Sequence, residues 1–205
     1  ISDFVGRFLV WAGIAFALVS CGGLPSLSGG GDPVRSMALV EGDVIVASPT
    51  GYCIDERTSR PATGFVVMAG CALVSDEQSM PAVDGLITVQ VGETDTAFVA
   101  SDEEALRSLL ATAQGAAVLS PSGDPTAIEI DQLENRDGVV YVHFRDTGPP
   151  PVDGLEQLEW RAFFDVGTRL ATVTIRGFER SPLDAEEGLL LLRRAVATIR
   201  DASAA

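Results

Sequence analysis

LEWRAFFDV (158–166) and LATVTIRGF (170–178) stand on either side of a short turn centred on Gly167. In the first, Leu158, Trp160, Ala162 and Phe164 alternate with Glu159, Arg161, Phe163 and Asp165. In the second, Ala171, Val173 and Ile175 alternate with Thr172, Thr174 and Arg176. A period of two is the mark of a strand with one face on a core. Upstream, TAIEIDQL (126–133) and VVYVHFR (139–145) flank Glu134–Gly138, read as a hairpin loop around its Asp-Gly pair. Val140, Val142 and Phe144 share one face there; Tyr141, His143 and Arg145 share the other. Four strands in succession predict an antiparallel meander.

Three more strand-like runs precede it. VIVASPTGYCID (44–55) alternates and then breaks at Ser48-Pro49-Thr50-Gly51. GFVVMAGCALV (64–74) reads as one continuous apolar strand with Cys71 inside it, and LITVQV (86–91) alternates Ile87, Val89 and Val91 with polar neighbours. The period then changes. Ser101-Asp102-Glu103-Glu104 reads as a capping box with Ser101 at the N-cap, and Leu106, Leu109, Leu110 and Ala113 form one apolar stripe stopped by Gly115. A closing helix opens at Ser181-Pro182-Leu183-Asp184 and carries Leu189, Leu192, Val196 and Ile199 on one face. Glu186 and Glu187 near its start, and Arg193, Arg194 and Arg200 toward its end, suit the helix dipole. The expected fold class is α+β: an antiparallel sheet flanked by two amphipathic helices in α/β/α layers.

This order, with the early turn Pro49-Thr50-Gly51-Tyr52, resembles the Mog1/PsbP-like fold over most of residues 40–200. The resemblance implies a binding or assembly factor without catalysis, and it maps no functional residue onto this chain.

The N-terminal end has a different character. FLVWAGIAFALV (8–19) is uncharged and apolar behind Arg7, too short to span a bilayer on its own terms but of the length of a secretory h-region. Leu18-Val19-Ser20-Cys21 resembles the bacterial lipobox. By that resemblance Cys21 is the lipidated first residue of the mature chain, and several acyl chains hold it firmly in a membrane. Residues 1–20 are therefore expected to be a signal peptide. GGLPSLSGGGDPVR (22–35) has no periodicity, so residues 21–36 are read as a lipidated flexible tether. Residues 37–205 are the single α+β domain. Gly22 replaces the Asp that retains many lipoproteins at the inner membrane, so the expected place is the periplasmic face of the outer membrane.

Composition narrows the chemistry. The formal charge is −15, which repels phosphate backbones, so nucleic acid is not an expected partner. All fourteen basic residues are Arg; without lysine there is no Schiff-base or lysine-base chemistry. Cys53 and Cys71 remain once Cys21 takes lipid, and in an oxidising compartment they are expected to form a disulfide. The rival, a zinc site, is short of ligands: neither cysteine has a CxxC partner, and His143 is the sole imidazole. No GxSxG, P-loop, GxGxxG or EF-hand spacing is present. Asp55-Glu56 and Glu103-Glu104 are carboxylate pairs of the kind any acidic chain carries. Trp160, Phe163 and Phe178 are candidates either for a recognition patch or for burial under a helix. No catalytic residue, cofactor or metal is expected. The sequence thus points to a membrane-anchored, non-enzymatic accessory or assembly factor for envelope proteins. A small-ligand carrier is the alternative, and a hydrolase built on His143 a third.

Overall fold

The computed structural model describes residues 31–204. The expected signal peptide (1–20) and the lipidation site Cys21 lie outside the described residues. A hairpin of β1 (Ser36–Leu39) and β2 (Val44–Ala47) comes first. It is followed by β3 (Tyr52–Ile54), β4 (Phe65–Gly70), the one-turn helix α1 (Cys71–Val74) and β5 (Leu86–Val91). Two helices come next, α2 (Glu103–Leu110) and α3 (Ala113–Leu119). The meander is β6 (Ile128–Arg136), β7 (Val139–Asp146), β8 (Leu155–Val166) and β9 (Arg169–Phe178), and α4 (Ala185–Ala204) closes the chain.

Seven strands form one sheet in the order β3-β4-β5-β9-β8-β7-β6, and every neighbouring pair is antiparallel. The meander is thus half of a larger sheet, joined to the N-terminal strands where β5 pairs with β9. On the first face, Val66, Met68, Ile87, Val89, Val173, Ile175, Trp160 and Ala162 are buried with Leu191, Leu192, Val196 and Ile199 of α4 and with Leu39, Val44 and Val46 of the hairpin. Each such fully buried aliphatic contributes roughly 1.5–3 kcal/mol by removal from water. Leu189, expected on the same stripe, is only partly buried, and Leu191 and Ala195 take the more central places. Asp184 caps α4: its Oδ1 accepts from the Glu186 and Glu187 amides at 2.9 and 3.3 Å.

The α+β class and the antiparallel sheet between helices are as expected, but several local readings change. The run 64–74 is not one strand: Gly70 turns β4 into α1, so Cys71 starts a helical turn. The capping residue of α2 is Asp102 rather than Ser101, its side chain accepting from the Ala105 amide. Gly115 does not end that helix. α2 stops at Leu110, Thr112 caps a second helix through the Gly115 amide, and Gly115 lies inside α3. A Cβ at Gly115 would overlap the Leu109 carbonyl and Leu110 Cα, so glycine there permits the tight α2–α3 crossing. The hairpin loop shrinks from five residues to Asp137-Gly138, both at positive φ (55° and 69°) as a type I′ turn requires. The domain also starts earlier than residue 37, since Ser36 pairs with Ala47 and the Val34 carbonyl accepts from the Ile54 amide. Among the described residues no helix is long and apolar enough to cross a membrane.

Candidate functional site

The second face of the sheet is covered along half its width. Over β6, β7 and β8, α2 and α3 bury Val140, Val142, Phe144 and Phe163 against Leu106, Leu110, Ala116 and Leu119. Over β4, β5 and β9 the same face stays open. There Phe65, Val67, Leu86, Thr88 and Thr174 floor a groove of about 430 Å³, with Pro151, Val152 and Leu155 along one side and Asp55, Thr58 and Arg176 also lining it. Its floor residues are half-buried and Val152 is 58% exposed, so the groove is open to solvent. Its volume lies within the range of about 300–1,000 Å³ of ligand pockets.

Strand register explains why the face changes character. Three cross-strand rows run from the covered to the open half: Phe144-Glu159-Arg176-Leu86, Val142-Arg161-Thr174-Thr88-Val67, and Val140-Phe163-Thr172-Gln90-Phe65. The middle of the first two rows holds a buried charge cluster. Glu159 is fully enclosed and ion-paired to both Arg161 and Arg176. Arg176 also donates to the Glu156 carbonyl at 3.0 Å. Arg161 donates to the Leu119 carbonyl at the end of α3 and lies over the Phe144 ring. Burial pushes the Glu159 carboxyl up from its ordinary value; Arg161 and Arg176 pull it back down, and Asp146 adds to the rise. The cluster seals the edge of the covered half, and Arg176 presents its other side to the groove.

At the far wall of the groove, Asp55 Oδ1 accepts from the Arg57 amide at 3.0 Å and Oδ2 from the Thr58 hydroxyl at 2.7 Å. This holds the turn after β3. The groove's two charged side chains are therefore already engaged within the protein.

The other singled-out residues are structural. Cys53 and Cys71 form a disulfide that ties β3 to the start of α1. Both sulfurs are buried. Glu77 lies within ligand distance of them, but disulfide sulfurs offer no thiolate, and Glu77 is engaged by Arg35 and Ser79. His143 is buried, stacked on Trp160 with ring centroids 4.7 Å apart, and paired through Nδ1 with Asp131 at 2.8 Å. Its contacts are a carboxylate and an indole, without the hydroxyl a serine nucleophile would bring. Trp160 is buried and donates from Nε1 to the Ala185 carbonyl at the start of α4. Phe163 is buried under α2 and α3; Phe178 is half-buried beneath Arg180. These three do not assemble into an exposed patch. Glu103 is not half of an acid/base pair either: its Oε1 accepts from Asn135 and its Oε2 from the Gly138 amide, tying α2 to the β6–β7 turn. Tyr52, after the Pro49 turn, donates its hydroxyl to the Val83 carbonyl at 2.6 Å, and burial pushes its phenol well up.

Sequence reasoning missed the groove and the charge cluster. Glu159, Arg161 and Arg176 looked like the solvent side of two alternating strands, because alternation shows which residues share a face and not what covers it. The signal that was present is the Thr88, Thr172, Thr174 and Gln90 set, which makes the open half less apolar than the covered one.

No family model matches this chain, and no curated protein matches it. Among solved structures it is similar to the Ran-binding protein Mog1p of Saccharomyces cerevisiae, at 13% identity and a TM-score of 0.47, over 81% of this chain and 95% of that one. A Mog1 point mutant gives 14% identity and a TM-score of 0.42, over 83% and 92%. PsbP (CyanoP) of the cyanobacterium Synechocystis gives 15% and 0.34, over 90% and 96%. These likenesses concern shape alone, and they carry both names to which the order of elements pointed.

Proposed function

We propose that this chain is a non-enzymatic accessory or assembly factor of the bacterial cell envelope. In this reading it is held at the periplasmic face of the outer membrane by lipid on Cys21 and engages a protein partner through the groove over β4, β5 and β9. The observation that carries the binding reading is the open, largely apolar half-face itself. It lies beside a covered half of the same sheet, with its two charges satisfied internally. Such a surface gains free energy from an apolar partner without leaving a buried charge unpaired. The disulfide fits an oxidising compartment. The engagement of His143 by Asp131 and Trp160 favours a structural imidazole over a catalytic one.

The test places a photo-crosslinking benzoylphenylalanine at Val152, on the groove's rim, in the full-length chain in its native cells. A discrete protein adduct that disappears when Leu86→Arg is added supports the reading; no protein adduct, or one indifferent to Leu86→Arg, overturns it. Intact-mass measurement of the membrane-extracted chain checks the anchor. The expected species starts at Cys21 with acyl-glyceryl mass added, and a soluble chain still carrying residues 1–20 sinks that part. The groove's volume supports a second reading, a carrier of a small apolar ligand. Organic extraction of the native protein, but not of its Leu86→Arg variant, would then yield a stoichiometric small molecule.

A further inference from the structure

The described chain begins at the mouth of the groove. The Gly31 carbonyl accepts from the Asp76 amide at 3.2 Å and the Val34 carbonyl from the Ile54 amide at 2.7 Å. Gly31, Asp32 and Val34 also wall a cleft of about 420 Å³ together with Ile54, Asp55, Glu56 and Arg57. Asp55 lines both that cleft and the groove. The polypeptide therefore enters the domain next to the one wall the two cavities share.

The residues leading into that point have the chemistry the groove asks for. Residues 22–30 read GGLPSLSGG: no charge, and two large apolar side chains, Leu24 and Leu27. Leu27 is four residues from Gly31 and Leu24 seven. At no more than about 3.6 Å per residue they reach about 14 Å and 25 Å, enough to cover the groove from its Asp55 end. Pro25 disfavours helix for Leu24 and favours an extended, polyproline-like path. Three residues per turn on such a path put Leu24 and Leu27 on one side. The match in charge is equally direct. Arg176 is paired to Glu159 and Asp55 to the turn after β3, so a charged occupant would find no free counter-charge, whereas an uncharged apolar one leaves both pairs intact.

We infer that the segment Leu24–Leu27 of the same chain occupies the groove as a displaceable plug. The inference rests on the groove being the binding site proposed above, and it adds a means of regulation. A partner meets a site that is partly self-occupied, so its apparent affinity falls by the fraction of molecules whose groove is free. Drawing the segment away, for instance as the chain is stretched between membrane and partner, frees the site.

The experiment uses the full-length chain in its native membrane with benzoylphenylalanine in place of Leu27. The expected product is an intrachain cross-link to a peptide containing Phe65–Val67, Leu86–Thr88 or Pro151–Leu155. Adducts exclusively to lipid or to another protein, or no adduct at all, overturn the plug. A second arm replaces Leu24→Asp and Leu27→Asp together, outside the described domain, and titrates 8-anilinonaphthalene-1-sulfonate. For a groove self-occupied ten to one, binding tightens about tenfold; an unchanged affinity overturns the inference. The Val152 cross-link reads the external partner and the Leu27 cross-link reads the plug, so the two proposals fail separately.

Discussion

The covered and the open halves of the second sheet face share strands, register and twist, yet they differ in what they can tolerate. Beneath α2 and α3 the rows end in Val140, Val142 and Phe144, all buried. Across the charge cluster they end in Phe65, Val67 and Leu86, half-buried, with Thr88, Thr174 and Gln90 among them. The covered half depends on its helices to exclude water, whereas hydroxyls let the open half stand in water between encounters. The most direct way to break this comparison is one aromatic truncation on each side. Phe144→Ala leaves a cavity in a closed core and should cost about 3–5 kcal/mol. Phe65→Ala removes a half-exposed ring and should cost about 1 kcal/mol. Urea unfolding of both variants with the disulfide intact reads the difference. Equal costs would mean that the open half is as much a core as the covered one.

The two halves are also stapled differently. Outside the open half, the disulfide fixes edge strand β3 to α1. Opening it by Cys53→Ala with Cys71→Ala should cost about 3 kcal/mol for an 18-residue interval, and should broaden signals from Phe65 and Val67 before those from Val140 and Val142. The covered half relies on a cap instead. Asp102→Ala removes the side-chain acceptor of the Ala105 amide and should lower stability by about 1 kcal/mol. Amide exchange should then quicken in α2 first, with the groove residues unchanged. Exchange that quickens equally on both halves would show that they unfold as one unit.

Much of this architecture was legible because local chemistry and periodicity agreed. The β6–β9 meander follows from alternation plus the Asp137-Gly138 turn, and α4 from its apolar stripe and the Asp184 cap. Legibility failed where a residue's role is set by something distant in sequence. Gly115 looks like a stop because glycine usually is one; it is glycine because Leu109 and Leu110 come too close for a side chain. Gly70 and Cys71 sit in an apolar run with no period, so nothing local marks the change from strand to helical turn. The pairing of β5 with β9 joins residues more than eighty positions apart, and the groove exists only because of it.

The seam between the halves offers the smallest and most specific test. The Glu159 carboxyl is enclosed, and burial, with Asp146, pushes its pKa up against the pull of Arg161 and Arg176. A carboxyl raised in the folded state holds its proton more tightly there than in the unfolded chain, so the folded state binds more protons as both titrate. The stability this group contributes is then fully present below the unfolded value of about 4.3 and is lost as pH rises through the higher folded value. Glu159→Gln keeps the shape and removes the titration. Stability measured by urea across pH 4 to 8 should therefore decline more steeply for the native chain than for the variant, the two curves converging at the acid end. Exposed carboxyls such as Glu77 and Asp124, which hydrogen bonds hold below their ordinary values, contribute the opposite slope to both proteins and cancel in the difference. If the native chain instead gains stability relative to the variant as pH rises, the two guanidinium groups dominate over burial. The seam would then be a charge pair that holds the halves together rather than an enclosed acid that they tolerate.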